Sequence, residues 1–230
     1  MNRSRKSIIL NMLLAAAALF VNGFGVYLTI HASIGAGPWD VLNLGISHTT
    51  GILYGTASIL VSVTILLIDI VMKEPIGIAM FIDAVVVGKA VDFFDFIDII
   101  PIPRSLPLSI LMMLVGLTIM GYTQYGYMKA ALGCGPRDTL LVGLSKRLKK
   151  IPIGVVSIAL LSLATLIGYL LGGPVGIGTI ICAFGSGPIM QLAFITMKFK
   201  ATEIKHQKLL DSFKVFLGKE PDYGNKKCDN

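Results

Sequence analysis

The stretch Gly35-Ala36-Gly37-Pro38-Trp39-Asp40 returns as Gly133-Cys134-Gly135-Pro136-Arg137-Asp138, 98 positions further along the chain. Under that shift Gly23, Tyr27, Ala32, Gly35, Gly37, Pro38, Asp40, Leu42, Gly45 and Ser47 all meet identical residues. Ten identities in 25 positions exceed what composition alone supplies. One inserted residue makes the shift 99, and Gly55/Gly154, Ser58/Ser157, Pro75/Pro174, Gly77/Gly176, Ile78/Ile177 and Gly88/Gly187 then match. The chain reads as a tandem duplication, so one structural plan is expected twice.

The surroundings of that repeat are apolar. Hydrophobic residues make up 54% of the 230 and charged residues 14%, where soluble domains carry about 25% charged. This composition belongs to a polytopic membrane protein. The net charge of +7 does not point to nucleic acid, because the basic residues collect at Arg3/Arg5/Lys6, between Lys129 and Lys150, and after Lys198. Clusters beside apolar segments set orientation and meet lipid headgroups. Cys134, Cys182 and Cys228 have no metal-ligand spacing and cannot form a disulfide framework. The apolar run at the N-terminus resembles a signal peptide but continues to about Ile30 and aligns with the segment starting near Leu106, so a retained first helix is expected.

A helix needs about 20 apolar residues to cross the hydrocarbon core. Candidate spans run from about 8–30, 52–72, 76–100, 108–128, 151–171 and 175–197. Lysine and arginine then place the N-terminus and the basic loops inside, with Arg104 alone in the outer loops. The expected fold is all-α, with six transmembrane helices forming two three-helix repeats of inverted topology. Each repeat carries a short Gly-Pro-x-Asp helix, either interfacial or re-entrant. Residues 1–7 form a cytoplasmic N-terminus, 8–100 the first repeat, 101–107 a linker, 108–197 the second repeat and 198–230 a basic amphipathic tail on the anionic inner leaflet. The predicted location is the bacterial cell membrane, with both termini cytoplasmic.

Chemistry centres on the repeated element. Pro38 and Pro136 suit a first helical turn, where the missing N–H would be unpaired, and Asp40 and Asp138 face the positive end of the dipole. Gly35, Gly37, Gly133 and Gly135 permit an unwound approach to each helix. Two geometries fit: interfacial helices with Trp39 as a headgroup anchor, or half-helices pointing into a cavity, where irregular backbone survives at membrane depth. Arg137, standing where the first half has Trp39, could bind an anionic group, Asp138 or lipid phosphate.

The third span carries Asp83, Lys89, Asp92, Asp95 and Asp98. Mid-membrane charge costs about 2.5–3.5 kcal/mol on insertion scales and seeks a partner or a cavity. Lys89 and Asp92 share a helix face and can neutralise one another. Asp83 lies about 180° from Asp92 at about 100° per residue and needs a different neighbour. The second half has Cys182, Pro188 and Gln191 at these positions, so the charge is confined to one half. No phosphate-binding loop, His-Glu-x-x-His or nucleophile elbow occurs. No enzyme activity, catalytic residue, cofactor or metal site is expected.

Gly-Pro-Trp-Asp-Val-Leu at 37–42, Gly-Ile-Ser at 45–47, Thr-Gly-Ile-Leu-Tyr-Gly at 50–55, Pro-Ile-Gly-Ile at 75–78, and Gly88 with Val91-Asp92 resemble the bacterial YczE/YyaS/YitT membrane proteins. The resemblance covers residues 8–197 and implies a multi-pass bacterial membrane protein, with no accepted binding residues. The expected function is a small secondary transporter of an unidentified solute or ion. Its substrate-path candidates are Asp40, Asp83, Lys89, Asp92, Arg137, Asp138 and Gln191, and its small size is compatible with a homodimer. The competing expectations are a non-transporting membrane factor that assists or regulates another protein, and a binding subunit that needs energising partners.

Overall fold

Proline at the first helical position starts the two short helices, and a glycine closes one of them. The computed structural model describes residues 5–129 and 135–198. Among these it contains eight helices and no strand: α1 (Arg5–His31), α2 (Pro38–Thr50), α3 (Tyr54–Val71), α4 (Ile78–Ile97), α5 (Leu106–Lys129), α6 (Pro136–Arg147), α7 (Ile153–Leu170) and α8 (Ile177–Thr196). Helices α2 and α6 begin on Pro38 and Pro136, after glycines in extended conformation. Gly51 closes α2 with φ 74°, a left-handed cap, and its N–H donates to the Ser47 carbonyl. The unwound stretch before α2 depends on Gly35, at φ 108°. A side chain there would also run into the backbone of Gly176.

Five helices are long and apolar enough to cross a membrane: α1 from Ile9, α3, α5, α7 and α8. Helix α4 has the length but carries Asp83, Lys89, Asp92 and Asp95. That charge load separates it from the other five, so the six expected spans reduce to five on composition. Large apolar side chains such as Leu67, Val71, Ile158, Leu170, Ile180 and Phe184 are exposed. Such an outward apolar surface is what a lipid-facing protein presents, and the chain is a multi-pass membrane protein.

The helices pack as two groups. In one, α1 packs along α5 and also on α4, while α5 packs on α8. Gly25 and Gly116 let the α1 and α5 backbones approach closely, since a methyl at either would press on the other's carbonyl oxygen. In the other group α2 packs on α7 and α3, and α6 packs on α3 and α7. The contact of α1 with α4 is matched by that of α5 with α8, and α2 on α7 by α6 on α3. Each short helix thus leans on a long helix from the opposite half. The groups meet where α3 packs on α4 and more lightly where α2 and the stretch before it touch α8, whereas α7 and α8 form no comparable packing among the described residues.

Two polar clasps close the ends of the α2–α3–α6–α7 group. At the C-terminal end of α6, Lys146 Nζ donates to Glu74 Oε2 at 2.7 Å and Arg147 Nη1 to Glu74 Oε1 at 3.3 Å. Arg147 Nη2 also binds the Met72 carbonyl. At the C-terminal end of α2, the Thr49 hydroxyl donates to the Leu171 carbonyl at 2.9 Å and His48 Nδ1 lies 3.1 Å from the Gly172 carbonyl. Under the repeat shifts Thr49 corresponds to Arg147 and Leu171 to Met72. One clasp is ionic, and its counterpart is neutral.

Candidate functional site

The N-terminal ends of α2 and α6 come to one cavity of about 350 Å³ between the two helix groups. Its walls include Gly37, Pro38, Trp39 and Asp40 from one element and Gly135, Arg137 and Asp138 from the other. Asp83 from α4 joins them. The repeated sequence element therefore marks two sides of a single space. Gly133 lies outside the described residues, as does the expected amphipathic tail beyond Lys198.

The two sides are built differently. Asp40 is 8% exposed, and its Oδ1 accepts a hydrogen bond of 2.7 Å from the Tyr54 hydroxyl. Asn43 Nδ2 donates to that hydroxyl at 3.3 Å. Tyr54 and Asn43 are replaced by Ile153 and Leu141 in the second half, so no equivalent brace exists there. Asp138 instead presents its carboxylate to the cavity. Asp83 stands beside it: a methyl at Gly135 would lie 3.0 Å from Asp83 Oδ2 and 3.9 Å from Asp138 Oδ2. On the other side Cys182 holds the position that corresponds to Asp83, and a methyl at Gly37 would lie 3.9 Å from its Cβ.

Arg137 is the cation among these acids. Its guanidinium carbon lies 5.2 Å from the centre of the Trp39 ring, a cation–π geometry worth about 0.5–2 kcal/mol. The residues at the variable position of the two Gly-Pro-x-Asp elements therefore touch each other across the cavity. Trp39 holds Arg137 here rather than a lipid headgroup.

The remaining candidates sit elsewhere. Asp92 Oδ1 accepts from the Gly55 N–H at 2.6 Å, satisfying a donor at the start of α3. Lys89 Nζ is 3.8 Å from Asp92 Oδ2, with the lysine side chain 57% exposed. Gln191 is exposed and does not line the cavity. Asp69, wholly buried in α3, has no hydrogen-bond partner on either carboxylate oxygen among the described residues and also lies outside the cavity.

Sequence reasoning missed Tyr54, Ser58 and Ser62, which line the cavity from α3. The signal was present, because a polar residue every fourth position draws a stripe along one helix face. It also missed Gln124 of α5 and Ser186 of α8, whose isolated positions carry no periodic mark. Asn22, whose Nδ2 donates to the Thr123 hydroxyl at 3.0 Å, ties α1 to α5 beside the cavity.

The arrangement offers a sheltered polar chamber with carboxylates on both sides, one aromatic-stacked guanidinium and two helix N-termini. It has the parts to hold a small charged solute. Comparison with known proteins supplies family but no activity. The family of unknown function DUF6198 matches residues 9–194. An uncharacterised protein of Haemophilus influenzae is 30% identical over 191 residues, covering 83% of this chain and 86% of that protein. The uncharacterised membrane protein YczE of Bacillus subtilis is 27% identical over 195 residues, 82% of this chain and 87% of its own length. The uncharacterised protein YyaS of the same organism is 26% identical over 177 residues, 76% of this chain and 87% of its own. No solved structure matches the chain. On this coverage the protein belongs to the DUF6198 family of unknown function, as a YczE/YyaS-like multi-pass membrane protein.

Proposed function

We propose that this protein is a secondary transporter of a small solute, working by alternating access between two inverted repeats. The observation that carries the reading is the shared cavity: Asp40 and Asp138, from the two copies of one element, line a single chamber between two helix groups. Sites between inverted repeats, with discontinuous helices turning their N-terminal ends inward, recur in secondary transporters. In this reading α2 and α6 are re-entrant half-helices, α4 is the sixth span, and both termini are cytoplasmic. The cost of charge on α4 is met by the cavity at Asp83 and by the Gly55 N–H and Lys89 at Asp92.

The packing also supports movement. Gly55 and Gly88 are buried where α3 meets α4, whereas their counterparts Gly154 and Gly187 are exposed, and a methyl on either would meet nothing within 4 Å. One repeat is closed and the other open at equivalent sites. A rocking of one helix group against the other would exchange those states and pass the cavity from one membrane face to the other.

The test is flux. Purified protein in liposomes holding a pH-sensitive dye should show solute-dependent proton or solute movement. D40N and D138N should each lower it by at least about tenfold while thermal stability stays near the parent's. Interfacial helices would lose only a capping and dipole contribution of about 0.3–2 kcal/mol, with function kept. No flux across a broad solute panel, with partner proteins recovered by mild extraction, would favour a non-transporting factor. Topology is checked separately in a variant lacking the native cysteines. An impermeant thiol reagent on whole cells should label H48C and spare K149C, and the opposite pattern removes the inverted repeat.

A further inference from the structure

We propose that the cavity binds one small organic monocation in exchange for one proton. This names the substrate class of the chamber just described and rests on reading that chamber as a solute site. The ionisable groups facing it are Asp40 of α2, Tyr54 of α3, Asp83 of α4, Arg137 and Asp138 of α6, and Cys182 of α8. Three of these are carboxylates and one is a guanidinium. The N-termini of α2 and α6 each add about half a positive charge. Their sum leaves about one negative charge unmatched when the carboxylates are ionised. A chamber walled by protein does not hold a lone charge cheaply, and either one proton or one monocation completes it. Binding the cation then frees the proton, and the net charge of the chamber is unchanged by the exchange.

An anion is disfavoured by the same balance, since it would meet three carboxylates. Metal ions fit poorly. Among the described residues no group of three His, Cys, Asp or Glu side chains is placed to hold one. The chamber is also far larger than a bare ion, at about 350 Å³. Its walls alternate the acids with Val87, Leu117, Met120 and Leu161, which suits a cation with carbon attached.

Two observations beyond the charge balance point to a ligand. Asp40 is more than nine-tenths buried, lines the chamber, and has one oxygen, Oδ2, without a hydrogen-bond partner among the described residues. Trp39 turns its ring to a cation, and that cation is Arg137, which makes no ion pair within 4 Å and no hydrogen bond among the described residues and is held by the ring and by the more distant charges of Asp40, Asp83 and Asp138. An arginine held this way can be displaced. An incoming ammonium group competes for the same aromatic face and for the same carboxylates, and Arg137 moves aside.

Isothermal titration calorimetry on the purified full chain in detergent tests this. The probes are ethylammonium, tetramethylammonium and choline, with acetate and methyl phosphate as anions and glycine as a zwitterion. Runs in two buffers of different ionisation heat count the protons released. At least one cation should bind with release of about one proton. D83N and D138N should each weaken it by about tenfold or more, the effect of removing an opposite charge nearby, and abolish the proton release. R137Q should act in the opposite direction and tighten the cation, which no general loss of folding can mimic; thermal unfolding is followed for every variant. Three results each overturn the inference: no cation binds, a cation binds without releasing a proton, or an anion binds and R137Q weakens it. A cation that binds with proton release yet never crosses a liposome membrane keeps the inference and removes the transport reading. Flux confined to anions does the reverse.

Discussion

Gly55 with Gly88 and Gly154 with Gly187 are identical residues at positions related by the shift of 99, and they are packed in opposite ways. In the first half the glycines are buried, and a methyl at Gly88 would lie 2.8 Å from the Gly55 carbonyl oxygen. In the second half both are exposed, with open space around them. Small residues at helix crossings exist to let backbones touch. Under the proposed alternating access, a glycine pair that nothing touches is a contact surface for the other arrangement of the molecule. The difference teaches that matching sequence does not fix matching packing, and in the proposed transport cycle it is the two halves caught in different conformations.

Leucine at the two positions separates them most sharply. G88L forces a side chain between α3 and α4 and should cost about 3 kcal/mol of stability, at the upper end for overpacking, read as a lower midpoint in thermal unfolding. G187L should leave the midpoint within the range of neutral surface changes, about 0.5 kcal/mol, and yet suppress liposome flux by blocking closure of α7 on α8. Equal destabilisation by both would erase the comparison. Cysteines sharpen it further. In a background without the native three, G55C/G88C should cost stability as G88L does, since either side chain meets backbone, whereas G154C/G187C should be tolerated and cross-link slowly under mild oxidant, in step with the rocking. Cross-linking of the second pair should arrest flux, with reductant restoring it.

The two clasps differ in the physics of their bonds, which predicts smaller effects. The hydrogen bond from Lys146, joined by its charge and by Arg147, outweighs partial burial and holds the Glu74 carboxyl below its ordinary 4.5. A carboxyl lowered by folding stabilises the protein fully above its unfolded value, and the contribution is lost as pH falls through the folded one. E74Q should therefore remove a stabilising contribution at neutral pH and flatten the decline in stability below about pH 4.5. Its size should be about 1 kcal/mol or less, because both cations are half-exposed, and it should shrink in high salt. T49A, on the neutral side, should cost about 0.5–1.5 kcal/mol at most, with no dependence on salt. Equal salt sensitivity at the two ends would show that the clasps are not distinct.

Much of this was legible in the residues. Pro38 and Pro136 announced the short helices, and the apolar runs announced the long ones, because helix starts and membrane spans are local in sequence. Asp83 and Asp92 were separable by helical angle alone, and they do part company: Asp83 faces the cavity while Asp92 binds the Gly55 N–H. The contact of Trp39 with Arg137 was hidden, since nothing in either element says that the other stands opposite. The packing of α2 on α7 was hidden for the same reason. The unequal state of the glycine pairs was beyond any reading of pattern, because identical residues occupy both sites.

The leaning of each short helix on the opposite half has a consequence for biogenesis. When α2 leaves the ribosome, the helix it packs against, α7, lies more than a hundred residues downstream. At a synthesis rate of about 5–20 residues per second, that interval is of the order of several seconds to tens of seconds. During that time the flank of α2 that packs on α7 lacks its partner, while Asp40 already has Tyr54 of its own half. Neither half should then mature alone. If the gene were cut in the 101–107 linker, the two pieces would have to be made together, in the same membrane, to recover the protein.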